Sequence, residues 1–131
     1  WRWKPARVQQ YIRTTDSTVI VSESEKLLSG FAITSFAEAS AHISLLAVNP
    51  MFRRRGIATS MIGWIMQSCK VAGIGCIRLE VRLGNTGAIE CYANLGFEKV
   101  GIRKLYYEGR EDAQLMTLVL ISPDREAQRP K

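Results

Sequence analysis

Leu46-Ala47-Val48-Asn49-Pro50-Met51-Phe52-Arg53-Arg54-Arg55-Gly56-Ile57-Ala58-Thr59 is the stretch on which the fold turns. It reads as a strand that stops at Asn49-Pro50, because proline donates nothing to a sheet ladder and turns the residue before it away from helix. Beyond Gly56 the apolar residues Ala58, Met61, Ile62, Ile65 and Cys69 recur at three- and four-residue steps. That spacing builds one stripe along an amphipathic helix over 56–71, which Gly73 and Gly75 then stop. A helix start carries unpaired N–H groups and the positive end of the helix dipole, so a phosphate placed there gains several hydrogen bonds at once. Gly56 and Ala58 keep side chains out of the way, and the three arginines add forked donors. Read blandly, the arginines form a solvated loop. Like charges there oppose the dipole, however, and call for a compensating anion.

Working outward, His42 to Val48 is the strand that feeds this turn, and Thr18–Ser22 with Phe31–Phe36 forms an antiparallel pair around a turn at 26–30. Val8, Tyr11 and Ile12 stand at helical spacing behind Pro5, which predicts a short helix over 5–13. Downstream, Cys76 to Arg82 alternates, with Ile77, Leu79 and Val81 on one face and Cys76, Arg78, Glu80 and Arg82 on the other. Asn85-Thr86 caps a short helix that runs through Leu95 and ends at Gly96. Phe97–Tyr107 and Gln114–Ile121 close the chain as two strands around the polar turn Glu108–Asp112. Strands, a long helix, a strand, a short helix and a hairpin describe an α/β mixed sheet flanked by helices.

The 131 residues are enough for one compact core, so a single domain over 1–131 is expected, with 122–131 a fraying tail. No run reaches the roughly 18 to 20 apolar residues of a membrane span. The start, Trp1-Arg2-Trp3-Lys4-Pro5, lacks both an initiating Met and a signal peptide, and reads as an interior cut. Cys69, Cys76 and Cys91 form no C-x-x-C pair, which suits reduced thiols in the cytoplasm. With one histidine, His42, a multi-histidine metal site is excluded, and the ring is read as ordinary strand filling. A net charge of +6 favours anionic partners without naming one. The glycine pattern of a triphosphate-binding loop is missing, as are the three spaced glycines of a dinucleotide fold.

Arg53-x-x-Gly56-x-Ala58 resembles the acetyl-coenzyme A signature, Gln/Arg-x-x-Gly-x-Gly/Ala, of the Gcn5-related N-acetyltransferase (GNAT) superfamily. The resemblance sharpens downstream through Leu79-Glu80-Val81-Arg82-x-x-Asn85-x-x-Ala88-Ile89-x-x-Tyr92-x-x-Leu95-Gly96-Phe97. Arg103-x-x-Tyr106-Tyr107 and Gly109-Arg110-Glu111-Asp112-Ala113-x-x-Met116 complete it. Together these are similar to the Rim-type ribosomal protein alanine N-acetyltransferases and to archaeal and eukaryotic N-terminal acetyltransferase subunits. The resemblance implies the GNAT acyl-coenzyme-A N-acyltransferase fold, a mostly antiparallel twisted sheet, here with the superfamily's opening strand missing. It implies that Leu46, Ala47 and Val48 bond the pantetheine arm of acetyl-coenzyme A through their backbone. Arg53 belongs to the matched signature, and Arg54, Arg55, Gly56, Ile57, Ala58 and Thr59 would hold the pyrophosphate. Asn85 would meet the distal part of the cofactor, Glu80 would be the general base and Tyr92 the general acid. Tyr106, Tyr107 and Asp112 would line the acceptor channel. No metal is implied.

The chemistry asks for such residues. An attacking amine must be neutral, and an α-amine with a pKa near 8 is roughly a tenth neutral at about pH 7, against about one in two thousand for a lysine. A nearby carboxylate completes that task more readily for a chain terminus. Glu80 lies on the charged face of its strand, although it also reads as a surface carboxylate paired with Arg78 or Arg82. A departing thiolate leaves more easily when protonated, which a tyrosine does. Asn85 and Tyr92 are seven apart and share a helix face. The other reading of Tyr92 is packing beside Ile89 with its hydroxyl tied to a carbonyl. Cys91 points about 100° away and is rejected as a nucleophile.

The leading expectation is acetyl transfer to a protein N-terminal α-amine, the N-terminal alanine of a small-subunit ribosomal protein, by a monomer. The alternatives are a relaxed N-terminal or small-molecule amine acetyltransferase, a cofactor-binding pseudoenzyme, and a basic ribosome- or nucleic-acid-binding module. The last would use Arg53, Arg54, Arg55, Lys99, Arg103 and Lys104 as phosphate contacts. It leaves the small residues at 56 and 58 unexplained.

Overall fold

A computed structural model describes residues 18–24, 26–53 and 55–120. The expected helix over 5–13, Arg54 and the tail from 121 onward lie outside the described residues. Six strands form one sheet: β1 (Thr18–Ser24), β2 (Leu27–Phe36), β3 (Ser40–Val48), β4 (Cys76–Arg82), β5 (Glu98–Tyr107) and β6 (Glu111–Val119). Their order is β1-β2-β3-β4-β6-β5. The β3–β4 pairing is parallel, and the other neighbours are antiparallel. A parallel pair needs a long crossover, supplied here by α1 (Ile57–Ala72). The second helix, α2 (Thr86–Asn94), links β4 to β5.

The stripe read along α1 is what it buries. Met61, Ile62, Ile65 and Cys69 are inaccessible and pack with Ala32, Ala41, Ile43, Ile77, Leu79, Met116 and Leu118 of the sheet. Each fully buried isoleucine stabilises by about 1.5–3 kcal/mol. α1 ends at Gly73, whose φ of 76° is the left-handed value that lets its N–H return to the carbonyls of Cys69 and Lys70. Leu28, Phe31 and Ile33 form a second cluster with Val19, Leu45 and Ala47.

Several expected boundaries move, two of them by three residues or more. The turn expected at 26–30 shrinks toward Lys26, and Leu28 to Gly30 join β2, because Ser22↔Gly30 and Glu23↔Leu28 already pair. The last strand starts at Glu111, three residues before Gln114, since Tyr107↔Glu111 and Arg82↔Ala113 pair across polar positions that carry no hydrophobic alternation.

The feature that positions the site is a parting of strands. β3 and β4 pair only from Ser40↔Cys76 to Ile43↔Leu79. Just beyond, β3 carries a bulge, since Ile33 pairs with Leu45 while Thr34 pairs with Ile43, leaving Ser44 as the extra residue. Ser44 Oγ donates to the Ile33 carbonyl at 3.2 Å. From there Leu45 to Val48 follow β2, while Glu80 to Arg82 follow β6. A wedge opens between the carboxyl ends of β3 and β4.

Candidate active site

The wedge continues into a groove of about 960 Å³, within the size range of small-molecule sites. Leu46, Ala47 and Val48 form one wall, Pro50, Phe52 and Arg53 the turn, Gly56 to Thr59 the floor, and Asn85, Gly87, Ala88, Cys91 and Tyr92 the opposite wall. Most residues singled out for cofactor contact therefore meet in one place. Arg55 is exposed, with its guanidinium 5.1 Å from the Phe52 ring centroid, and it does not line the groove.

Asn49 builds the turn. Its side chain accepts from Met51 N–H at 3.1 Å and donates to the Leu28 carbonyl at 3.3 Å, which locks the exit of β3 before the helix begins. Gly56 caps α1 at φ 75°, a conformation strained for any L side chain, and no side chain caps the helix start. The first-turn amides thus face the groove without an intrahelical acceptor. A Cβ on Gly56 would meet nothing within 4 Å, so the backbone conformation, not crowding by protein atoms, accounts for the glycine.

Sequence reading missed Gly30, placing it in a turn. A Cβ there would stand 2.9 Å from the Ala47 carbonyl oxygen, 3.0 Å from Ile57 Cγ2 and 3.2 Å from Met61 Cε. β2, the groove strand and the first turn of α1 close on this one position. The only clue in the sequence is a glycine inside a strand-like run, which often marks close backbone approach. We expect Gly30→Val to lower stability by about 1–3 kcal/mol and to weaken cofactor binding, since Ala47 and Ile57 must both yield. Thermal unfolding and calorimetry check this; wild-type values in both would refute it.

Glu80 is the first β4 residue beyond the last β3–β4 pair, on the face away from the helices. Its Oε2 lies 2.6 Å from His42 Nε2. His42 is therefore more than strand filling, and Glu80 is not the partner of a neighbouring arginine. Arg82 instead bonds Glu111 at 2.7 Å and lies over the Tyr107 ring at 4.4 Å.

Tyr92 packs beside the helix-side core, with its ring edge-on to Phe97 at 5.8 Å. Among the described residues none accepts from its hydroxyl. Burial pushes its pKa up to about 12, with smaller contributions from Cys91 and Tyr107. Tyr107 is raised too, first by burial, then by Tyr106 and Glu80, while Arg82 opposes. Tyr107 thus lies within electrostatic reach of both Tyr92 and Glu80.

Asp112 holds backbone, bonding the hairpin strand that precedes it. Its Oδ1 accepts from Leu105 N–H at 2.9 Å, where Leu105 has a left-handed φ of 53°. That bond holds the irregular stretch of β5 between Arg103 and Tyr107. Tyr106 and Tyr107 emerge from it with rings 4.9 Å apart and perpendicular. Asn85 likewise caps α2, accepting from Ala88 N–H at 3.2 Å, while it lines the groove.

Known proteins share this fold. The [ribosomal protein bS18]-alanine N-acetyltransferase of Escherichia coli K12 is 35% identical over 94 residues, covering 70% of this chain. The chain spans 64% of that protein's length. The crystal structure of the ribosomal-protein-S18-alanine N-acetyltransferase from Escherichia coli superposes with a TM-score of 0.78 at 27% identity, covering 93% of this chain and 80% of the other. Ard1 from Thermoplasma volcanium gives 0.79 at 26% identity, covering 92% and 82%. A sequence profile of the acetyltransferase (GNAT) family matches residues 1–97, and with the split sheet and groove just described the chain belongs to that family.

Proposed function

We propose that the protein transfers acetyl from acetyl-coenzyme A to a protein N-terminal α-amine, with the N-terminal alanine of a small-subunit ribosomal protein as the acceptor. The observation that carries this reading is the wedge, which ends in a helix start with unpaired amides and has Glu80 at its apex. These residues fit the cofactor: Gly56 to Thr59 offer donors to a pyrophosphate, and the edge of Leu46 to Val48 offers strand-like bonds to a pantetheine arm. When bound, acetyl-coenzyme A supplies an activated acyl group. Glu80 accepts the proton from the attacking amine, and Tyr92 holds a proton for the departing sulfur. The tyrosine pair presented by Asp112 orients the acceptor. The resemblance to enzymes named for ribosomal alanine acetylation supports the choice of acceptor. Free Cys69, Cys76 and Cys91 suit a reducing compartment.

Turnover of the purified chain with acetyl-coenzyme A and peptides beginning Ala, Ser, Met and Gly tests the proposal. Preference for alanine is expected. Rejection of every peptide together with turnover of a free amine would remove the protein acceptor.

A further inference from the structure

His42 stands where the two strands are about to part. Its paired position on β4 is Arg78, and the next pair, Ile43↔Leu79, is the last before the wedge. The imidazole reaches along the sheet to Glu80, Nε2 to Oε2 at 2.6 Å, with the side chains 23% and 13% exposed. A bond to an ionised oxygen in so sheltered a place is of the strong, charge-assisted kind. Among the other charged or titratable groups on the elements around the pair are Arg78, Arg82 and Tyr107. Arg82 is held by Glu111 and Tyr107. Arg78 is exposed and makes no ion pair among the described residues. Tyr107 feels the Glu80 charge at a distance, its pKa being raised first by burial and then by Tyr106 and Glu80.

We propose that His42 is a positioning residue for Glu80, a role that rests on Glu80 being the base. By donating its Nε2–H to Oε2, it fixes the carboxylate and leaves Oε1 to take the proton. In the step itself one N–H bond of the amine breaks and one O–H bond forms on Oε1, while the imidazole keeps its own proton. With a neutral ring, the pair passes from charge −1 to 0. With a protonated ring it would pass from 0 to +1, which opposes the transfer.

Two variants and one spectrum test this. Gln at position 42 presents an amide N–H at comparable reach without titrating, and Phe fills the space without a donor. The expected results are kcat/KM within about threefold of the parent for His42→Gln, and a loss of about tenfold or more for His42→Phe, with cofactor KM unchanged in both. Because His42 is the chain's single histidine, its imidazole resonance is unambiguous. In Glu80→Gln its Nε2–H proton should resonate well upfield of its place in the parent, since the charged acceptor is gone. A wild-type rate in His42→Phe, or an Nε2–H resonance indifferent to Glu80→Gln, would overturn the proposal. Should His42→Phe fail to fold, the His42→Gln rate and the spectrum decide. An undiminished rate in Glu80→Gln strikes the base assignment itself, whereas a slow Glu80→Gln beside a normal His42→Phe removes the histidine's role alone.

Discussion

Glu80→Gln is expected to lower turnover at saturating cofactor by about ten- to a thousandfold and to leave the fold and cofactor affinity close to wild type. The amide keeps the volume of the carboxylate at the apex of the wedge and still accepts from His42 Nε2, but it cannot take a proton. Glu80 is not among the groove-lining residues, so removing its charge leaves the cofactor's binding surface unchanged. The deficit has a pH signature. An α-amine with a pKa near 8 becomes neutral by itself as pH rises, so the variant should recover part of its rate above about pH 8 while the parent gains little. Initial rates from about pH 6 to 10 measure this. A variant as fast as the parent at neutral pH would remove Glu80 from the proton path.

Tyr92→Phe is expected to reduce turnover by a similar factor, for the opposite half of the reaction. The ring stays, with its edge-on contact to Phe97 and its place in the groove wall, and only the hydroxyl is lost. Because burial lifts the Tyr92 pKa to about 12, the parent retains this proton throughout the usual assay range, so ionisation of Tyr92 costs no activity up to about pH 10. Calorimetry should show cofactor affinity within a few-fold of the parent. Stability should hold or rise slightly, since a sheltered hydroxyl without a partner among the described residues is removed. Full activity in Tyr92→Phe would show that the thiolate leaves unassisted or by another donor.

Much of this site was legible before any coordinates, because its most distinctive parts are local in sequence. The helix read over 56–71 is α1 shifted by one residue, and the alternation of Cys76 to Arg82 defines β4 without change. The proline stop, the glycine start and the face shared by Asn85 and Tyr92 follow from rules that act within a turn or two. What was not legible depends on register between distant strands. The His42–Glu80 bond joins residues 38 apart in the chain, and the contact of Gly30 with Ala47 and Ile57 requires three elements to meet. Asp112 reads as a channel residue by resemblance, whereas its carboxylate holds the backbone just before Tyr106 and Tyr107. The start of β6 was hidden because hairpin pairing set it, and pairing leaves no hydrophobic signature in Glu111 and Asp112.

Ser44 also sets the phase of its strand. One supernumerary residue makes Ile43 and Leu46, rather than Ile43 and Leu45, point toward the helices. Deleting it would leave Leu45 and Ala47 on the far face and Leu46 and Val48 toward the helices, since Leu45 would then follow Ile43 directly, but it would remove the bulge and restore the stagger that lets the two parallel neighbours zip together. A single-codon deletion at this inconspicuous serine should therefore abolish coenzyme capture, where the same deletion in the 108–110 hairpin tip would be borne far more easily.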